Sequence, residues 1–263
     1  ITTTAATAAS GATPVGTGAA TAPGAASWGA LEAMRADAGR DLVAYQGKAW
    51  ARRFDALVAK AAARERELGG DGAFSLAVAR SLRKLMTYKD EYEVARLYTD
   101  GSFAAALSRQ FEGDLRLRYH MAPPLLSRSV DGKPPRKIGL GPWMGPAMRL
   151  LAHGRMLRGT FLDPFGHTAE RRTERELIAG FERRIDELLP TLTAAKLPVA
   201  TQLAAVPLSI RGFGHVKLGN LALARVREAE LLHRLDPQRH PPPPRSGPPP
   251  AGQLRGIQVV ARA

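Results

Sequence analysis

A mainly α-helical fold with one small β-hairpin set into it is what this 263-residue chain predicts. Apolar residues recur at three- and four-residue spacing through most of the interval 28–236, which is helical periodicity. Glycines and prolines fall mostly between those runs. One short stretch before residue 122 switches to a period of two, the signature of a half-buried strand.

Taken in order, a first helix is expected over Asp37–Arg66, where Leu42, Tyr45, Ala49, Phe54, Leu57 and Ala61 lie near helical spacing. "ELGGDGAF" breaks it as a flexible connector. A second helix is expected from Ser75 to Tyr98 and a short third from Phe103 to Phe111, ending at Gly113. In "LRLRYHM", Leu115, Leu117, Tyr119 and Met121 alternate with Arg116, Arg118 and His120. Asp131-Gly132 supplies a tight-turn pair, and "RKIGLG" is the expected return strand. Helices resume after Pro142, with Met144, Met148 and Met156 expected to fill core gaps. In "TERELIAGFERRIDELLP", Thr173 and Glu176 form a capping-box pattern. Leu177, Ile178, Phe181, Ile185, Leu188 and Leu189 make its apolar stripe, and Pro190 stops it. Two more helices are expected over Pro198–Leu208 and His215–Leu235, and no internal repeat is visible.

The ends read differently. Residues 1–27 are Ala/Thr/Gly-rich and carry no charged side chain, as a linker or tail would. They hold no secretory signal, and the opening Ile1 is what a fragment or a processed product would carry. Residues 237–263 begin with "PQRHPPPPRSGPPP", which proline chemistry makes extended or disordered. The domain therefore spans 28–236, with two tails.

The absence of cysteine excludes disulfides, zinc thiolates, cysteine nucleophiles and thiolate-held clusters, and suits a reducing cytoplasm. A net charge of +14 is compatible with phosphate, nucleic acid or an acidic partner. Acids and bases alternate in stretches such as "RRTERELIAGFERRIDELL", however, which is how solvated helix faces read. No run is long and apolar enough to span a membrane. The histidines (120, 153, 167, 215, 233 and 240) show no metal-binding pair, and there is no GxSxG or P-loop. No catalytic residue is assigned.

Two clusters remain. On the second expected helix, the apolar face of Val78, Leu82 and Leu85 continues into Lys89, Glu93 and Arg96, flanked by Tyr92. Spacings of four and three allow these charges to neutralise one another as an ionic network, while the plainer reading is a helix leaving the core after Met86. In "SIRGFGHVKLGN", Gly212 and Gly214 precede a helix, with Arg211, His215 and Lys217 around them. Backbone N–H groups and cations there suit an anion such as a phosphate, and the alternative is a close-packed glycine joint.

The motifs "KLMTYKDEYEVARLYTDGSF", "GDLRLRYHMAPPLL", "KIGLGPWMGPAMRLLAHGRMLRGTFLDPFG", "ERRTERELIAGFERRIDELL" and "IRGFGHVKLGNLALARVREAELL", in that order, resemble the C-terminal domain of fused indolepyruvate ferredoxin oxidoreductases. These belong to the thiamine-diphosphate-dependent 2-oxoacid:ferredoxin oxidoreductases. The resemblance implies aryl-pyruvate decarboxylation with thiamine diphosphate, iron–sulfur clusters and coenzyme A, all served by modules N-terminal to this region. Its expected partners are those modules or a partner subunit. Gly70-Asp71-Gly72 matches only the opening of the thiamine signature, because Asn220 lies far beyond the interval at which its asparagine falls. The rival expectation is a stand-alone basic helical protein that binds nucleic acid or a phosphate-bearing ligand.

Overall fold

The computed structural model describes residues 23–111, 113, 119–121, 138–141, 143–212 and 214–242. The expectations for 1–22, for 243–263 and for the Asp131-Gly132 turn lie outside the described residues. Most of the described chain is helical.

The first expected helix is two helices, α1 (Pro23–Gln46) and α2 (Lys48–Glu67). They meet at Gly47, whose φ of 105° only glycine adopts without strain. The apolar spacing runs straight through this break, so periodicity did not reveal it. α1 packs on both α2 and α3 (Ala73–Met86), which a single rod would prevent. α1 also begins inside the expected tail, and its Leu31 is fully buried.

The "ELGGDGAF" connector is built around a carboxylate. Glu65 is 1 % exposed and accepts from the N–H groups of Gly72 (3.0 Å), Phe74 (3.2 Å) and Ser75 (2.8 Å) and from Ser75 Oγ (2.6 Å). It thereby satisfies the orphan donors at the start of α3. Gly70 lies so close that a Cβ there would stand 2.4 Å from Glu65 Cγ. This connector is held in place by its contacts, in contrast to the flexible joint expected.

The second expected helix is likewise divided, into α3 and α4 (Glu91–Thr99). Thr87 donates its Oγ1 to Arg83 O and closes α3, and Asp90 accepts from Glu93 N and opens α4. Both are residues whose short polar side chains compete with the helix interior. α5 (Ser102–Gln110) follows a turn in which Asp100 accepts from Ser102 N and Oγ. β1 (Tyr119–Met121) pairs antiparallel with β2 (Ile138–Leu140), Tyr119 facing Leu140. The ladder is three residues long, and the turn that would make it the expected hairpin lies outside the described residues.

α6 (Met144–His153) runs into a 3-10 turn at Gly154–Leu157. α7 (Ala169–Leu188) starts earlier than the capping-box pattern implies: Thr168 caps it, and Thr173 lies inside the helix donating to Ala169 O. α8 (Leu197–Ala205), a 3-10 turn at Val206–Ser209 and α9 (Gly214–Leu235) complete the chain.

The main core joins α1, α2, α3, α7, α8 and α9 through Leu31, Leu42, Phe54, Val58, Phe74, Leu82, Ile178, Ile185, Leu203 and Leu231. Each large apolar side chain so buried contributes about 1.5–3 kcal/mol relative to exposure. Ala95, Met148 and Ala152 form a separate small cluster between α4 and α6. Met148 fills a core gap as expected, but Met156 is 68 % exposed.

Candidate functional site

The residues around the α3–α4 break divide into two sets. Glu93 and Arg96 form a forked ion pair on α4 (2.7 and 2.9 Å), extended by Arg96 to Asp100 at 3.1 Å. Tyr92 leaves that pair and donates its hydroxyl to Asp163 at 3.1 Å. Burial and the Asp163 carboxylate both push the Tyr92 phenol above its ordinary value. Lys89 sits in the interhelical link, exposed, with no ion pair to Glu93. The helix break removed the four-residue spacing that would have joined them.

The buried ionic pair is elsewhere. Arg158 and Asp90, with side chains 2 % and 3 % exposed, meet through two hydrogen bonds of 2.5 and 2.8 Å. Arg158 also donates to Tyr45 O at 2.7 Å, and its guanidinium lies 3.7 Å from the centre of the Tyr45 ring. Burial opposes the Arg158 charge, but the hydrogen bond and charge of the Asp90 carboxylate outweigh it and raise its pKa. Asp90 fell inside the second expected helix, and nothing in the sequence reading singled it out. Nothing in "GRMLRGT" sets Arg158 apart from its neighbours.

On the other side of Tyr88 lies a cleft of about 310 Å³. The end of α3 contributes Lys84 and Leu85, the link Tyr88 and Lys89, α7 Glu170, Glu174 and Leu177, and the approach to α9 Ile210, Arg211 and Gly212, with Lys217 from α9 itself. Lys84 is anchored: its Nζ donates to Pro207 O (2.8 Å), Leu208 O (2.9 Å) and Ile210 O (2.7 Å). Burial lowers its pKa, and the neighbouring charges of Arg211 and Lys217 lower it further. Lys217 pairs with the buried Glu174. Arg211 is exposed, its Nε 3.4 Å from Leu208 O, and its own carbonyl accepts from Asn220 Nδ2 at 2.8 Å. Gly212 has φ 90°, and a Cβ there would stand 2.7 Å from Val216 Cγ1. The joint therefore demands glycine whatever else it does. Gly214 opens α9, while the His215 side chain lies outside the described residues.

The two clusters read from the sequence thus share a wall. Lys89 joins Arg211, Gly212 and Lys217, while Tyr92, Glu93 and Arg96 do not line the cleft. Of the thiamine-signature match, Asp71 accepts from Ala73 N and Asn220 serves Arg211 O, both local structural tasks. Among the described residues no group of three or more His, Asp or Glu side chains is placed to hold a metal ion.

Residues 31–230 match a family described as "Family of unknown function (DUF6537)". The chain belongs to that family. The DUF6537 match contains every residue that lines the cleft, together with Asp90 and Arg158. No curated protein and no solved structure matches the chain. Among the described residues no helix is long and apolar enough to cross a membrane.

Proposed function

We propose that this chain is the helical C-terminal domain of an indolepyruvate ferredoxin oxidoreductase-type enzyme of the cytoplasm, and that it acts by docking. The observation carrying this reading is the apolar surface of the segment from Trp143 to Leu162. Leu150 is 78 % exposed and Phe161 85 %, and Trp143, Met156 and Leu162 are also uncovered. Side chains of that size are ordinarily exposed singly, and their concentration in 20 residues suits a protein interface. The same segment carries the longest of the resembling motifs, "KIGLGPWMGPAMRLLAHGRMLRGTFLDPFG".

On this reading the partner is the set of N-terminal catalytic modules, which hold thiamine diphosphate and the iron–sulfur clusters and use coenzyme A. A chain without cysteine offers a cluster no thiolate, so the redox centres belong to those modules. The rival reading as an electrostatic nucleic-acid binder rests on the net charge of +14. It loses support because Arg53, Lys60, Arg83 and Arg184 are engaged by Glu182, Asp186, Asp41 and Glu228.

Sedimentation of the chain with separately expressed thiamine- and cluster-bearing modules tests the proposal. A complex with Kd at or below ~1 µM, weakened about tenfold or more by L150S/F161S, is the expected result. No complex with the wild type, or an unchanged one with the double variant, overturns it.

A further inference from the structure

We infer that the cleft between α3, α7 and the start of α9 is a binding site for a small phosphate-bearing molecule. This inference stands independently of docking, since none of the lining residues belongs to the segment 143–162. Four cations, Lys84, Lys89, Arg211 and Lys217, converge there from four separate places in the fold, against only Glu170 and Glu174. Lys217 and Glu174 neutralise each other. Lys84 is held by three carbonyl oxygens, which solvate its charge without cancelling it. An excess of positive charge is therefore enclosed at the cleft, and its self-repulsion is what lowers Lys84 beyond the effect of burial.

Lys89 and Arg211 are the adjustable members. Lys89 is exposed, and Arg211, also exposed, makes one long bond through Nε. A planar fork and a mobile ammonium together suit a phosphate or diphosphate, which presents several oxygens, better than a single carboxylate. Leu85, Leu177 and Ile210 line the same cleft, so the molecule carrying the phosphate has an apolar or flat portion to set against them. Clusters of like charge with perturbed ionisation are characteristic of functional sites.

Isothermal titration with inorganic phosphate, pyrophosphate and sodium benzoate tests the assignment. Wild type is expected to bind pyrophosphate saturably, more tightly than phosphate, and benzoate weakly or not at all. K89M/R211M keeps both apolar stems, and among the described residues neither cation holds an ion pair, so the variant is expected to fold. Its pyrophosphate affinity is expected to fall about tenfold or more. R52A, which removes an exposed cation that does not line the cleft, is expected to leave affinity unchanged. The inference is overturned if wild type shows no saturable pyrophosphate binding, if K89M/R211M binds as wild type with an unaltered melting temperature, or if R52A weakens binding equally. A K217M variant adds a second reading, because it frees Glu174 and should weaken binding even where it also lowers the melting temperature.

Discussion

Arg158 touches two parts of the chain that are distant in sequence: Asp90 before α4, and the end of α1, where it donates to Tyr45 O and its own carbonyl accepts from Gln46 Nε2 at 3.3 Å. Its environment is almost dry, so the pair is asymmetric in what its loss would do. Replacing both partners by apolar groups is tolerable in principle, whereas removing one strands a charge. Arg158→Met is accordingly expected to destabilise the chain by about 3–5 kcal/mol in urea unfolding. Arg158→Lys should recover little, since an ammonium cannot reproduce the forked contact to Asp90 together with the bond to Tyr45 O. A loss below about 1 kcal/mol would mean that the pair is structurally idle. Gly154 belongs to the same locality, because a Cβ there would stand 2.9 Å from Tyr92 Cε1.

At the level of helices, the connections carry as much specificity as the faces. Glu65, in the last turn of α2, completes the first turn of α3, so that the two helices share one hydrogen-bonding centre. Glu65→Gln keeps the shape but replaces one acceptor oxygen by an NH₂ facing N–H donors. It is expected to cost about 2–3 kcal/mol, measured by chemical denaturation, with Gly70→Ala harmful through contact with the Glu65 stem. If Glu65→Gln were neutral, water would have to be satisfying those N–H groups. The apolar stripes were legible from spacing alone: Ile178, Phe181, Ile185 and Leu188 on α7 are all buried. The break at Gly47 was not, because the apolar spacing runs through it; at Thr87–Asp90 the face turned charged, which did not tell a helix leaving the core from one that stops.

Across the whole molecule the described residues form one large core, a patch of Ile210, Leu221 and Ala224, and a smaller unit of α4 and α6, which Arg158, paired with Asp90, ties to α1 through Tyr45 O. The small cluster has only Ala95, Met148 and Ala152 fully enclosed, far too little apolar area to hold itself together. Hydrogen exchange should therefore show α4 and α6 opening at lower free energy than α2, α3 and α7. Arg158→Met should widen that gap by accelerating exchange in α4 and α6 while the deepest amides of α3 change less. Uniform acceleration throughout would show a single cooperative unit. The exposed segment from Trp143 to Leu162 lies in this weakly held part, where a partner's surface would add the burial that the chain lacks.

Helical class, the buried faces of α3 and α7, and the lack of any thiolate chemistry follow from residue identity and spacing, because burial of an apolar stripe is a local, periodic requirement. The pairing of Asp90 with Arg158, and the meeting of Lys84, Lys89, Arg211 and Lys217 around one cleft, came from the way the helices pack. Charges far apart along the chain are brought together by long-range geometry, and no periodic signal in the sequence records it.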